Sequence, residues 1–419
     1  MSSSAGRGKA PVALPHSGHW HGGLVWPLPH PGHCHRGLVW SSLTLVTVTV
    51  MFNNDVDMTR DFMFKYSNKD FIYTTSSEHG LDKMSPFDSL LLKKWEAARD
   101  AALFNYQVDD VETKIIPGKY KLVAQMNANR KTMRRKPQNI FNVTQPFDPE
   151  TFNFTKIKKQ EILARLLYNQ ISPEVIDGEE IAGNGRSGLE GSLTINTAPI
   201  CYSHSLLVPF LARCRPQVVS EEGLLLALHS ILLSQTPDLR IAFNSLGGYA
   251  SVNHQHFHIY YLPHELHIET AECLRLAGPC YIFKDYHAPG YVFQLENGAV
   301  DELTRSVMKV IKLFHREEMA HNLYITRGTS LDGNSIAGRY DTIRVILWAR
   351  KLCYGIKDIT VFAAAACELA GHVPIYSSEH WSGLSEEAIT HTTKSVCEDH
   401  FVAMNDKITE LFSENSILE

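Results

Sequence analysis

Three histidines alternate with other residues in the segment His254-Gln-His256-Phe-His258, and no other feature limits the possible folds of this chain so strongly. Successive side chains of a β-strand point to opposite faces, so the three imidazoles would share one face of a strand. Neighbouring histidines would lie about 6.7 Å apart and the outer two about 13 Å apart. Burying three imidazoles is costly unless each has a hydrogen-bond partner. We therefore predict a strand over residues 250–262 whose histidines serve a functional site.

Metal binding is one functional interpretation of this segment. Zn–N bonds of about 2.0–2.1 Å require two ligand nitrogens to lie within about 4 Å of each other, which the outer histidines of a strand do not satisfy. His254 and His256 could chelate one ion together, but the sequence offers them no H-x-x-E-H or C-x-x-C partner.

Nucleophilic catalysis is the other interpretation, and we prefer it. A neutral imidazole can attack phosphorus when its second nitrogen is held by a hydrogen bond that sets the tautomer. His256 is then the nucleophile, and His254 and His258 flank it as donors to the phosphate oxygens. A site of this kind requires no metal.

Composition excludes several classes of protein. The chain has 419 residues, of which 44% are hydrophobic, and this is enough for a sizeable core and too many for wholesale disorder. Forty Lys and Arg against 45 Asp and Glu leave a formal net charge of −5, so a general nucleic-acid-coating role is not expected. The longest apolar stretch, residues 37–52, is interrupted by Ser and Thr and is too short for a membrane span. We therefore expect a cytoplasmic protein with no nucleic-acid or membrane partner; the sequence does not indicate its oligomeric state.

The first 55 residues differ from the rest of the chain. PHSGHWHGGLVW (15–26) recurs as PHPGHCHRGLVW (29–40). We interpret residues 1–55 as a low-complexity, disordered extension, and a histidine-rich metal-binding tract is the alternative.

Further along, strands and helices follow one another with hairpins and without regular βαβ alternation, which predicts an α+β fold.

The histidine segment resembles the active-site strand of the histidine-triad superfamily. GGYASVNHQHFHIYYL (247–262) has the His-x-His-x-His pattern followed by apolar residues, with Ser251 five positions before His256. INTAPICYSHSLLVP (195–209) is similar to the earlier hairpin of that superfamily, although Ser203 stands where glycine commonly precedes the histidine. The resemblance implies a histidine-triad-like α+β fold of two related halves, with a mainly antiparallel sheet and flanking helices.

Five segments resemble, in the same order, the GDP-D-glucose phosphorylase family, the animal relatives of the plant GDP-L-galactose phosphorylases. They are QPFDPETFNFTKI (145–157), FNSLGGYASVNH (243–254), AHNLYITRG (320–328), RVILWARK (344–351) and CELAGHVP (367–374). The resemblance implies a catalytic half over residues 56–265 and a second half over residues 266–419 without catalytic histidines.

The resemblance also implies a reaction. Members of that family convert GDP-glucose and inorganic phosphate to GDP and glucose 1-phosphate, so a GDP-hexose and phosphate are the expected substrates. His256 would attack the α-phosphorus, form a covalent GMP–histidine and then transfer GMP to phosphate, with no cofactor required. His254 and Ser251 would orient the nucleophile or bind the α-phosphate, and His258 could protonate a leaving group.

Other candidate phosphate-binding residues are less specific. Backbone amides at Asn244, Gly247 and Gly248 could approach a phosphate, or could form a plain hairpin turn. Arg134 and Arg135, in the basic stretch 129–136, could neutralise phosphate charge or could be solvated.

Two other functions remain open, a histidine-triad nucleotide-sugar or dinucleotide hydrolase and a non-catalytic guanine-nucleotide- or metal-binding protein. No residue that would recognise guanine or the hexose can be identified from the sequence.

Overall fold

The fold is described here from a computed structural model of the chain. The structure describes residues 62–78, 83–108, 111–169, 188–333, 338–354 and 361–413. The histidine-rich extension predicted over residues 1–55 lies outside the described residues.

The described residues form helices and strands in mixed order. The helices are α1 (Pro86–Asp100), α2 (Ala128–Met133), α3 (Glu221–Leu233), α4 (His267–Thr270), α5 (Val300–Arg316), α6 (Ala366–Leu369) and α7 (Glu386–Leu411). The strands are β1 (Met63–Tyr66), β2 (Thr75–Ser76), β3 (Thr113–Ile115), β4 (Val123–Met126), β5 (Ile162–Tyr168), β6 (Glu190–Ile195), β7 (Ser205–Pro209), β8 (Leu239–Asn244), β9 (Phe257–Tyr261), β10 (Cys273–Ala277), β11 (Cys280–Phe283), β12 (Tyr291–Gln294), β13 (Ala320–Gly328), β14 (Arg339–Tyr340), β15 (Thr342–Arg350) and β16 (His372–Ile375). None of these helices is long and apolar enough to cross a membrane.

One eleven-stranded sheet organises the described residues, in the order β1-β5-β6-β7-β9-β8-β13-β15-β12-β11-β10. Every neighbouring pair is antiparallel except β1 and β5, which are parallel. The chain order β5-β6-β7-α3-β8-β9 recurs as β10-β11-β12-α5-β13-β15, and the two series meet where β8 pairs with β13. The predicted α+β fold with two related halves and a mainly antiparallel sheet is therefore confirmed.

The two faces of β9 have different environments. Phe257, Ile259 and Tyr261 pack into the main core, which α3 and α5 cover. His258 and Tyr260 point to the opposite face, because strand side chains alternate. The alternation predicted from the sequence is confirmed within β9.

The predicted strand over residues 250–262 is wrong for its first part, because β9 begins only at Phe257. His254 and His256 therefore precede the strand. The backbone before β9 is held by other groups: the N–H of His256 donates to the side-chain oxygen of Gln217, and the N–H of Gln255 donates to the carbonyl of Arg215. Strand pairing was predicted from a local pattern, but here distant side chains replace the neighbouring strand as partners.

A second sheet has three strands, in the order β16-β4-β3. Through β16, the second half of the chain reaches the side of the main sheet to which His258 points. β16 and β4 are parallel, and the N–H of Asn127 donates to the carbonyl of Ile375 at 2.8 Å. This pairing brings Tyr376, just after β16, to the start of α2, which carries Arg130.

Candidate active site

A cleft lies on the sheet face that carries His258. His256 and His258 both line it, together with residues of the β6–β7 hairpin, α2 and the segment around α6. His254 does not line the cleft, because its ring packs between Phe147 and Phe154 behind the wall.

His256 has a tautomer set by the main chain. Its Nδ1 lies 2.7 Å from the carbonyl oxygen of His254, which can only accept, so Nδ1 carries the proton. In the neutral ring, Nε2 then carries the lone pair. The ring contacts Phe154 on one side, with centroids 5.0 Å apart, and His258 on the other, at 5.4 Å. The arrangement presents a nucleophilic nitrogen at a cleft wall.

Gln217 holds the backbone on which His256 sits. Its side-chain oxygen accepts from the N–H of His256 at 2.8 Å, and its amide nitrogen donates to the carbonyl of His256 at 3.1 Å. The same nitrogen donates to the carbonyl of Asn244 at 2.9 Å. A single buried side chain thus satisfies both main-chain groups of His256 and ties them to the end of β8.

His258 has the opposite tautomer, because of His204. The N–H of Ile200 donates to Nδ1 of His204 at 2.9 Å, so His204 carries its proton on Nε2. That Nε2 lies 2.9 Å from Nδ1 of His258 and donates to it, which leaves the proton of His258 on Nε2. Burial lowers the pKa of both rings well below the usual value, with the neighbouring histidines and Arg130 adding to the effect, so both rings are neutral at pH 7. His258 is therefore a hydrogen-bond donor to the cleft.

His254 acts on the site through its main chain. Its Nδ1 accepts from the N–H of Phe154 at 3.1 Å, and its carbonyl accepts from His256. Burial and, less strongly, His256 lower the pKa of the His254 ring to about 4, which keeps it neutral at pH 7. The ring of His254 lies away from the cleft, so of the two roles considered above, orienting His256 and binding phosphate, the geometry favours the first.

Asn244 lines the cleft at the end of β8. Its side-chain oxygen accepts from the amide of Asn322 at 2.6 Å and from the N–H of Ala366 at 3.0 Å. Because that oxygen already accepts twice, the NH₂ group is the part of the side chain available to a ligand.

Gly247 and Gly248 do not line the cleft. Gly247 has φ of +73°, and a Cβ on Gly248 would lie 2.6 Å from the carbonyl oxygen of His321. Close packing of the turn against β13 therefore accounts for both glycines. Ser251 does line the cleft, and its carbonyl accepts from the N–H of Gln138 at 3.0 Å.

Three arginines from the basic stretch line the cleft, namely Arg130, Arg134 and Arg135. Arg130 donates to the carbonyl of Ala198 in the β6–β7 hairpin. The Arg135 guanidinium stacks on the ring of Phe152, with its central carbon 3.2 Å from the centroid. The three arginines therefore lie in the same cleft as His256 and His258, whereas the sequence left open whether this stretch binds phosphate or is solvated.

Sequence reasoning missed several cleft or supporting residues. Gln217, Tyr249 and Tyr376 carry no motif that marks them, since each acquires its role from residues distant in the chain, and Glu368 lies in the 367–374 segment but the sequence assigned it no chemical role. His204 was detectable, because the 195–209 segment resembles the histidine-triad hairpin.

Ser203, which precedes His204, has φ of +65°, the left-handed region that favours the glycine common at this position. Its hydroxyl accepts from the N–H of Tyr261 at 2.9 Å, which offsets part of the strain.

The described residues contain no group of three or more His, Cys, Asp or Glu arranged to hold a metal ion. The chelating pair considered above, His254 and His256, already uses both Nδ1 atoms in hydrogen bonds with the main chain.

Comparisons with known proteins match nearly all of the described chain. A family model described as "GDPGP1-like, N-terminal domain" matches residues 86–260, and one described as "GDPGP1-like, C-terminal domain" matches residues 269–415. GDP-D-glucose phosphorylase 1 of Xenopus laevis is 33% identical over 380 residues, which cover 83% of this chain and 95% of the relative. GDP-L-galactose phosphorylase 2 of Arabidopsis thaliana is 30% identical over 345 residues, covering 78% and 77%. The crystal structure of yeast Ap4A phosphorylase Apa2 in complex with Ap4A covers 75% of this chain and 97% of its own, with a TM-score of 0.48 and 12% identity.

Proposed function

The chain belongs to the GDPGP1-like family, and from that premise we propose that it is a GDP-sugar phosphorylase that converts GDP-D-glucose and inorganic phosphate to GDP and glucose 1-phosphate. The enzyme is of the nucleotidyltransferase type, as its named relatives are. The observation that carries the proposal is the tautomer of His256, whose Nε2 lone pair lies at the wall of a cleft with three arginines.

In the first step, Nε2 of His256 attacks the α-phosphorus of GDP-glucose. The new N–P bond forms as the bond from phosphorus to the bridging oxygen breaks, and glucose 1-phosphate leaves with that oxygen. The attacking ring becomes positively charged, and the carbonyl of His254 stabilises this charge through the Nδ1 proton. Because the leaving group is a phosphate, it needs no proton from the protein to depart.

In the second step, an oxygen of inorganic phosphate attacks the same phosphorus and the N–P bond breaks. GDP forms, and His256 returns to its neutral state with the proton still on Nδ1. A phosphoramidate is covalent but reactive, so this transfer between two phosphate groups is close to balanced in energy. The reaction requires no cofactor.

Donors on the cleft wall stabilise charge on the transferring group. The Nε2–H of His258 and the side-chain amide of Asn244 would bind non-bridging oxygens of the α-phosphate. Arg130 and Arg134 would neutralise the β-phosphate or the incoming phosphate. The half over residues 56–265 thus supplies the nucleophile, and the half over 266–419 completes the cleft through the segment around α6.

Labelling with GDP-glucose that carries isotope in its guanosine tests the proposal. The wild-type protein should retain acid-labile, base-stable label, and His256→Asn should lose both the label and turnover by several orders of magnitude. His287→Asn is the matched control, because His287 is a buried histidine outside the cleft that bonds to Thr393. Unlabelled wild-type protein that still turns over GDP-glucose would rule out the covalent route.

Hydrolysis is a second candidate, because His258 presents a proton beside the nucleophile and water could replace phosphate in the second step. The same assay separates the two, since a phosphorylase needs millimolar phosphate to release GDP. Turnover that yields GMP and does not respond to phosphate would favour the hydrolase.

A further inference from the structure

A buried carboxyl at the cleft wall has no role in the steps above. Glu368, in α6, is 3% exposed and lines the cleft. One carboxyl oxygen accepts from the N–H of Ala365 at 3.0 Å. The guanidinium groups of Arg130 and Arg350 act on the carboxyl less strongly than burial and the backbone N–H groups of α6 do. Capping of α6 accounts for these backbone contacts but not for an acid in the wall of a site for anionic ligands.

The cleft has two chemically different ends. One end is largely apolar, because Phe154, Leu206 and Val252 form a small hydrophobic cluster there, packed by Phe152 and Ile157; its charged residues are Arg135, stacked on Phe152, and Glu161 next to Arg135. The other end is polar and holds Asn244, Arg130, Arg134, Tyr376 and Glu368, with Arg130 and Arg134 close enough to Tyr376 and Glu368 to interact electrostatically.

The two histidines lie between these ends. The His256 ring contacts Phe154 at the apolar end and His258 on its other side. His258 in turn lies close enough to Arg130 for the guanidinium to affect its protonation. A phosphorus atom attacked by His256 therefore has the apolar end on one side and the polar end on the other.

The two parts of a nucleotide sugar differ in the same way. A planar base gains from apolar and aromatic contacts, whereas a hexose presents hydroxyls that must all find polar partners when they leave water. We propose that Glu368 binds hydroxyl groups of the hexose, so that the polar end of the cleft is the sugar subsite. This inference rests on the proposed function.

The state of Glu368 fits a neutral ligand next to phosphates. Burial raises the pKa of this carboxyl to about 8, so it is mostly protonated at pH 7. A protonated carboxyl both donates and accepts hydrogen bonds, as a sugar hydroxyl does, and it does not repel the neighbouring β-phosphate. The other titratable or charged groups around it are Arg130, Arg134, Arg350, Tyr249, Tyr376 and Cys367.

The reverse reaction tests the assignment, because a two-step enzyme gives a separate kcat/KM for GDP and for glucose 1-phosphate. Glu368→Leu should lower kcat/KM for glucose 1-phosphate by about ten- to a hundredfold and leave kcat/KM for GDP within about twofold. Glu368→Gln, which keeps an acceptor and a donor, should restore most of the loss. A loss confined to GDP would assign Glu368 to guanine and overturn the proposal, as would two unchanged values.

Asp238→Leu is the matched control, since burial also raises the pKa of the Asp238 carboxyl but this residue lies outside the cleft. It should leave kcat/KM for glucose 1-phosphate unchanged, and an equal loss in both variants would contradict a specific sugar contact. Wild-type protein that makes no GDP-glucose from GDP and glucose 1-phosphate would instead defeat the proposed function itself.

Monodeoxy analogues of glucose 1-phosphate give a second measurement that does not depend on how well Glu368→Leu folds. In the wild type, removing the hydroxyl that Glu368 binds should cost about tenfold or more in kcat/KM. In Glu368→Leu the same removal should cost less, because the two changes delete one interaction, whereas in Glu368→Gln, which keeps the contact, it should cost nearly as much as in wild type. Strictly additive losses for every deoxy analogue would overturn the contact.

Discussion

At the scale of single residues, two neighbouring histidines present opposite atoms to the same cleft. His256 offers a lone pair because its other nitrogen donates to a carbonyl, and His258 offers a proton because its other nitrogen accepts from His204. A main-chain group sets each tautomer. For His256 it is the carbonyl of His254, and for His258 it is the N–H of Ile200, which acts through His204. Main-chain groups have fixed hydrogen-bonding roles, so neither ring can reverse its tautomer without breaking a buried hydrogen bond.

Glu368 gives a prediction about pH. Its pKa is raised by burial from 4.5 to about 8, so the carboxyl is neutral below pH 8 and becomes an anion above it. The anion would repel a sugar phosphate, so kcat/KM for glucose 1-phosphate should fall as pH rises through about 8. Glu368→Gln should remove this fall, and pH profiles of the two proteins measured side by side check it. If kcat/KM for glucose 1-phosphate falls in the same way at alkaline pH in Glu368→Gln, another group causes the fall.

The same shift has a consequence for stability. A carboxyl with a raised folded-state pKa favours folding fully below its unfolded pKa of about 4.5, and this contribution is lost as pH rises to about 8. Glu368→Gln carries no charge, so its free energy of unfolding relative to wild type should rise over that interval. Denaturation at pH 5 and pH 8.5 measures the difference.

At the scale of secondary-structure elements, the main difference from the sequence prediction is that β9 begins at Phe257 and not at residue 250. A strand beginning at residue 250 would pair His256 with a neighbouring strand. The structure instead pairs it with the side chain of Gln217, in the segment that leads into α3. An amide side chain has one acceptor and two donor hydrogens, and this one uses both kinds on the segment around the nucleophile.

Gln217→Glu should therefore impair catalysis more than binding. The carboxylate keeps the acceptor for the His256 N–H but turns the two donors, to the carbonyls of His256 and Asn244, into repulsive contacts. We expect kcat to fall by tenfold or more with KM changed by less than about threefold, since a small displacement of the nucleophile acts on the transition state.

Gln255→Glu is the control for this substitution. Gln255 is an equally buried amide next to His256 in the chain, but its side chain bonds to Val218 and Ser220. If both variants lose the same kcat and the same free energy of unfolding, Gln217 has only a structural role. A loss of kcat specific to Gln217→Glu, with stability matched between the two, supports positioning of the nucleophile.

At the scale of the whole molecule, the described residues of the second half that line the cleft include Glu368 and Tyr376 but no histidine. β13 pairs with β8 at the junction of the two series of strands, and Asn322 on β13 lies opposite Asn244 on β8. Arg350 on β15 donates to the oxygen of Asn322 at 3.0 Å, and Asn322 donates to Asn244 at 2.6 Å. The orientation of a cleft donor in the first half is thus set from the second half.

Asn322→Asp tests this coupling. An aspartate keeps the acceptor for Arg350 but offers an oxygen to Asn244, so the Asn244 amide should rotate and present its oxygen to the cleft. An oxygen facing a phosphate is repulsive, so kcat/KM for GDP and for glucose 1-phosphate should both fall about tenfold or more. The rates of the two half-reactions, measured separately, check it; a fall in only one would contradict a shared contact at the α-phosphate.

The sequence by itself determined what depends on neighbours in the chain. The alternation of His258 and Tyr260 with Phe257, Ile259 and Tyr261 follows from strand geometry, and the ordered motifs indicated the family and the fold of two halves. Local sterics and side-chain periodicity act over a few residues, so a single sequence contains them.

Only the tertiary structure decided how those residues can react. The partner that holds the His256 backbone is 39 residues away and the partner that sets His258 is 54 residues away. Glu368 joins the cleft from the other half of the chain. Tautomer, burial and pKa depend on which groups folding brings within hydrogen-bond distance, and no local pattern specifies those groups.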